Sequence, residues 1–136
     1  MSSQDIKIGN NVYVDGSVVE VVAINNKDEE QVIITVKMQD GLLNSGTQRA
    51  LNLEPIKLSK DVLQRCCAQD ARGLIKTTVQ DRVFFFKMEK DYMILMDEHK
   101  FTLIHFWEVN YLHQFQNLYY SMTGICLLCP AEINQE

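Results

Sequence analysis

Apolar and polar residues alternate with a period of two along most of this chain, and with a period near 3.6 in only two stretches. Residues 6–14 lead into Asp15-Gly16, a dipeptide favoured in tight hairpins, and 17–24 follow as a strand with Val19, Val21 and Ala23 opposite Val18, Glu20, Val22 and Ile24. A polar, acidic loop spans 25–30. Residues 31–38 then alternate, with Val32, Ile34, Val36 and Met38 on one side. Asp40-Gly41 predicts a second turn, with 48–53 as a partner strand. Four short strands joined by hairpins predict a small curled sheet or an SH3-like barrel over 1–58. Ser59 is placed to cap a short helix over 60–68 that turns Val62, Leu63 and Cys66 inward.

Residues 59–136 carry the stronger β pattern. Strands are predicted over 74–79, 82–88, 92–96 and 101–107. Both faces of these strands are apolar: Phe84 and Phe86 oppose Val83 and Phe85, and Phe101, Leu103, His105 and Trp107 oppose Thr102, Ile104 and Phe106. Antiparallel sheets usually keep one face wet, so this one needs cover on two sides. A helix opens near Tyr111, with Asn110 as the expected N-cap and Gly124 at the C′ position. One arc of it holds Tyr111, Leu112, Phe115, Leu118, Tyr119 and Met122; the other holds His113, Gln114, Gln116, Asn117, Tyr120, Ser121 and Thr123. Between Val109 and Ala131 there is no Asp, Glu, Lys or Arg. A surface helix normally carries Lys and Glu on its wet side, so the neutral arc is expected to meet protein. The fold class that follows is α+β: an N-terminal SH3-like β unit packed on an antiparallel sheet with a C-terminal amphipathic helix.

At 136 residues, with 46% hydrophobic and 23% charged side chains, the chain can bury a self-sufficient core. Eighteen acidic against 13 basic residues leave a net charge of −5, which disfavours binding to nucleic-acid phosphate. The opening Met1-Ser2-Ser3-Gln4-Asp5 lacks the pattern of a secretory signal, and the charge-free stretch holds too many amides and histidines to face lipid. A cytoplasmic location without membrane attachment is therefore expected, with the four cysteines reduced.

Candidate chemistry is sparse. Cys126-Leu127-Leu128-Cys129 has knuckle spacing and Cys66-Cys67 could add two thiols, but adjacent cysteines rarely converge on one ion. Buried reduced thiols are expected, with no metal and no cofactor; a zinc site, and with it a metal-dependent enzyme, is the alternative. His99 is expected in a solvated turn and His105 as a hydrogen-bonded core residue, while His113, Gln116, Asn117 and Tyr120 could together orient a small polar ligand or a peptide backbone. No Gly-x-Ser-x-Gly elbow, phosphate-binding glycine loop or His-Glu-x-x-His helix occurs, so an enzyme is not expected.

The segment order resembles an uncharacterised family of small proteins encoded in gut Bacteroidetes genomes and their phages or mobile elements. The residues carrying the likeness are Ile6-Lys7-Ile8-Gly9-Asn10-Asn11-Val12-Tyr13, then Leu53-Glu54-Pro55-Ile56-Lys57-Leu58, and most distinctively the run from Val109 through Tyr120 to Gly124. The tail Ile125-Cys126-Leu127-Leu128-Cys129 departs from the charged ending of such proteins. The resemblance implies a fold and a mobile-element setting, and no activity. Gly9-Asn10-Asn11-Val12 with the later Gly16 and valines also looks like the Gly-x-x-Val pattern of KOW or Tudor-like barrels. The nearby Asp28-Glu29-Glu30 would repel phosphate.

The functional expectation is a non-enzymatic protein-interaction module, self-associating or docking a protein partner. Phe84, Phe85, Phe86, Trp107, Tyr119 and Tyr120 are candidate anchors, with His113, Gln116 and Asn117 on the neutral arc. The alternative is a small-ligand or nucleotide binder with its pocket between the β unit and the C-terminal helix.

Overall fold

The Asp15-Gly16 dipeptide turns the chain with φ of 50° and 82°, and the two strands it joins, β1 (Asn11–Val14) and β2 (Ser17–Asn26), pair in register from Val14↔Ser17 to Asn11↔Glu20. Two consecutive positive φ values match the right-handed twist of the flanking strands, which is why Asp-Gly suits this position. The computed structural model describes residues 6–26, 32–66, 73–90 and 92–127. In it, β3 (Val32–Lys37) pairs with β2 across a bulge at Val21/Ala23, and β4 (Leu43–Gly46) pairs with β3.

The partner of β3 is thus 43–46, and not the 48–53 strand predicted above. Residues 47–52 instead form a tight turn in which Leu51 N–H donates to Thr47 C=O (3.0 Å) and Leu53 N–H to Gln48 C=O (3.1 Å). The Thr47 hydroxyl accepts from Ala50 N–H at 3.1 Å. Gly46 permits the fold-back, since a Cβ there would sit 3.3 Å from Leu51 Cγ. The chain then enters a two-residue strand, β5 (Leu53–Glu54), beside β1, so the sheet order is β4-β3-β2-β1-β5. Alternate residues Val12, Val14, Val19, Val21, Ile34 and Val36 point into one apolar cluster with Ile6 and Leu53.

Helix α1 (Lys60–Cys66) starts where expected: Ser59 Oγ accepts from Val62 N–H at 3.1 Å, and Leu63 is buried. The predicted extension through Cys67 and Ala68 lies outside the described residues. A second antiparallel sheet follows, built from β6 (Ile75–Val79), β7 (Arg82–Met88), β8 (Met93–Met96) and β9 (Thr102–Phe106) in that spatial order.

Helix α2 (Leu112–Thr123) ends at Gly124, whose φ of 72° is left-handed and whose N–H donates to Tyr120 C=O at 2.8 Å. Its N-cap is Tyr111 and not Asn110. The reason is Gln114, whose Oε1 reaches back to accept from both Asn110 N–H (2.8 Å) and Tyr111 N–H (3.0 Å). Backbone bonds from Leu112 N–H to Ile56 C=O and from Leu58 N–H to Asn110 C=O anchor that end to the inter-sheet segment.

The main core joins the two halves. Val18 on the outer side of the first sheet, Ile56 and Leu58 between the sheets, Leu63 of α1, and Leu112 and Phe115 of α2 close on Ile75, Phe86, Met93 and Leu95. Phe86 and Phe115 meet edge to face with ring centroids 5.3 Å apart. The other face of the second sheet carries a smaller cluster of Leu74, Ile94 and Met96 with Phe85 and Tyr92 against it. The architecture is mixed α+β with two antiparallel sheets and a C-terminal helix.

Candidate interaction surface

Among the described residues strand β9 is an edge: it pairs with β8 on one side and with no strand on the other. Its register runs Met93↔Phe106, Ile94↔His105 and Leu95↔Ile104, then shifts at a bulge to Met96↔Thr102. The side chains along it stand in solvent, with Phe101 69%, Leu103 50%, Ile104 47% and Trp107 61% exposed. His105 and Trp107 belong to the face of Ile94 and Tyr92, Ile104 and Phe106 belong to the core face, and Leu103 is the extra residue of the bulge between Ile104 and Thr102. Both faces of this one strand are therefore apolar and wet at once.

Natural sheets guard such edges with charges, proline or very short strands. The opposite edge, β6, carries Lys76; β4 is mostly Asn, Ser and Gly; β5 has two residues. From Phe101 to Trp107 there is no charge and no proline, and Lys100 and Glu108 stand just beyond each end. An aromatic stack reinforces the second face. Tyr92 lies 4.3 Å from Trp107 and 5.3 Å from His105, and His105 meets Trp107 edge-on at 5.6 Å. His105 is exposed in this stack, which corrects the expected core histidine. His99 is solvated as expected, its Nε2 3.6 Å from Glu98.

The other candidate residues fall in different places. Phe86 is interior, Phe84 packs on the same core beneath Arg82, and Phe85 lies on the second face with Lys100 Nζ 5.6 Å from its ring. Tyr119 is half-buried beside Phe115, and Tyr120 is exposed. His113 and Gln116 are buried. Gln116 is spent inside the protein: its Oε1 accepts from Asn11 N–H (2.8 Å), and its Nε2 donates to Asn11 Oδ1 (2.8 Å) and Leu127 C=O (2.6 Å). Asn117 Oδ1 accepts from Asn10 Nδ2 at 2.7 Å. The Gln116 and Asn117 part of the neutral arc thus meets Asn10 and Asn11 of its own chain, amide against amide in place of charge, whereas Tyr120 and Ser121 of the same arc are exposed.

Beside those bonds, Lys7, Gly9, Asn10, Asn117, Tyr120 and Cys126 line a cavity of about 250 Å³ between the N-terminal unit and α2. A larger recess of about 390 Å³ lies between Lys57, Met88, Lys90, Tyr92 and Tyr111. Cys126 is free but exposed, which corrects its expected burial, and Cys66 is disulfide-bonded, which corrects its expected reduced state. Cys67 and Cys129 lie outside the described residues. Among the described residues no three His, Cys, Asp or Glu side chains are placed to share a metal ion, and no helix is long and apolar enough to cross a membrane.

Phe101, Leu103 and Ile104 lie outside the aromatic anchors that the sequence predicts. Their signal is the charge-free, two-faced apolar pattern of the final strand before α2, since a last strand that leaves directly into a helix has one neighbour in an up-and-down sheet. No protein-family model, curated protein or solved structure matches this chain, so the resemblance noted above stands on its quoted residues alone.

Proposed function

We propose that the protein is a non-enzymatic interaction module that docks a protein strand along β9. One observation carries this reading: the edge strand and its flanks expose Phe101, Leu103, Ile104 and Trp107, with apolar side chains on both faces, and lack the charges that keep edges unpaired. Strand addition supplies main-chain hydrogen bonds, and the exposed Leu103, Ile104 and Trp107 supply side-chain area. In this reading the N-terminal sheet is an SH3-like scaffold that, through Val18, Ile56 and Leu58, backs the second sheet and leaves its β9 edge outward. A cytoplasmic, mobile-element accessory role fits the same picture.

The test is a photo-reactive phenylalanine analogue at Ile104, compared with one at the exposed turn residue Asp40, in the protein's native cells. Protein adducts at 104 and not at 40 are expected. Equal labelling at both positions would remove the basis for a docking edge.

A second reading, small-ligand binding, is favoured by the 250 Å³ cavity and by its position between the β unit and α2. A thermal-shift screen against nucleotides tests it. A stabilising hit that Tyr120→Ala abolishes, with folding intact, would support this use of the cavity.

A further inference from the structure

We infer that the recess of about 390 Å³ beside the start of α2 binds a small phosphate monoester that carries an aromatic ring. The site is separate from the β9 edge and from the 250 Å³ cavity, and it depends on neither reading above.

Two backbone elements each bring one ammonium group and one phenol ring to it. The first is an isolated antiparallel bridge, Lys57↔Tyr111, with a backbone bond on either side: Leu58 N–H donates to Asn110 C=O (2.9 Å) and Leu112 N–H to Ile56 C=O (2.8 Å). That pattern makes Lys57 and Tyr111 a non-hydrogen-bonded pair, the kind whose side chains lie closest. Their neighbours Ile56, Leu58 and Leu112 are buried in the core, so Lys57 and Tyr111 project outward together. The second element is the turn between β7 and β8, closed by Glu89 N–H donating to Tyr92 C=O at 2.8 Å, which brings Lys90 and Tyr92 to the recess. Both rings are held by neighbours: Tyr92 lies 4.3 Å from Trp107, and Tyr111 lies 6.0 Å from His113 at an interplanar angle of 16°. Met88 and Val109 also line the recess, and both pack on the main core. A recess built on the core is preformed, so little ordering accompanies binding.

Charge names the ligand. Lys57 and Lys90 are exposed, and neither pairs with a carboxylate among the described residues. The carboxylate in the lining, Glu89, is engaged by Lys87, with Nζ 3.2 Å from Oε1. A chain of net charge −5 therefore presents two unspent cations beside two phenol rings. Two ammonium groups match a phosphate monoester, which carries a charge of about −2 at pH 7. Lysine binds phosphate as a point charge, whereas a planar carboxylate suits the arginine fork, and no arginine lines this recess. The phenol rings offer π-faces on which a flat ring can stack. Small-molecule sites run from about 300 to 1,000 Å³, so this volume suits one ring and one phosphate. The N–H groups at the start of α2 take no part, because Gln114 Oε1 accepts from Asn110 and Tyr111 N–H and Ile56 C=O accepts from Leu112 N–H.

Adenosine 5′-monophosphate is the probe, titrated calorimetrically into the full chain at low ionic strength. One-to-one binding is expected, with adenosine and ribose 5-phosphate each roughly tenfold weaker, since each lacks one of the two recognised groups. Lys57→Ala and Lys90→Ala should each weaken binding by roughly tenfold with the melting temperature unchanged, because both side chains are exposed. Lys37→Ala, an exposed lysine of the first sheet, should leave it as it was. No binding, or binding that neither Lys57→Ala nor Lys90→Ala weakens, would overturn the site. Loss in Tyr120→Ala with both of those lysine variants intact would move the nucleotide to the 250 Å³ cavity and overturn it equally. Ribose 5-phosphate binding as tightly as the nucleotide would overturn the aromatic part of the assignment.

Discussion

Gln116→Met keeps the length and burial of the side chain while removing every polar contact it makes. In the native protein Gln116 supplies the acceptor for Asn11 N–H and the donor for Asn11 Oδ1, each at 2.8 Å, and both residues are buried. It also supplies the donor for Leu127 C=O at 2.6 Å. After substitution two buried groups of Asn11 lose these partners, and an orphaned buried polar group costs about 1–3 kcal/mol. Leu127 C=O is only partly buried and can turn to water, so it adds little. The expected loss is about 3 kcal/mol, or about 10 °C in melting temperature at this chain length. Urea denaturation followed by circular dichroism would measure it. A double-mutant cycle with Asn11→Ala should show a coupling of about 1 kcal/mol, because both singles lose the bond from Gln116 Nε2 to Asn11 Oδ1, while the Asn11 backbone N–H still reaches Gln116 in the alanine variant. A loss below about 0.5 kcal/mol, with no coupling, would refute the view that the uncharged arc of α2 is a polar seam holding the helix to β1.

Three further outcomes follow from the same packing. Phe115→Ala opens a cavity against Phe86 in the shared core and should cost about 3–5 kcal/mol in chemical denaturation, with both sheets lost in one transition. Gly124→Ala places a Cβ at a φ of 72° with no heavy atom within 4 Å, so the strain alone acts; about 1 kcal/mol is expected from thermal melts. Native-state maleimide labelling read by mass spectrometry should modify Cys126 at once and leave Cys66 unmodified until a reductant is added, since the first is exposed and the second disulfide-bonded.

Local periodicity and turn chemistry determined most of the elements without tertiary help. Asp15-Gly16, Ser59 and Gly124 act on residues within a few positions, through positive φ or a nearby N–H, so the first hairpin, the start of α1 and the end of α2 were legible. So were all four strands of the second sheet, to within a residue or two at their ends. Where two local solutions were open, distant contacts chose. Residues 43–46, and not 48–53, became the partner of β3, because Leu51 folds onto Gly46. Tyr111 displaced Asn110 as N-cap, because Gln114 and the Ile56 carbonyl hold that end. The missing charge on α2 said that its second arc meets protein. Only the fold revealed that Asn10 and Asn11 meet it, more than 100 residues away in sequence. The exposure of β9 was likewise hidden, because the strand's composition matches that of its buried neighbours. An edge and a centre differ in how many strands lie alongside, and that number is a property of the assembled sheet.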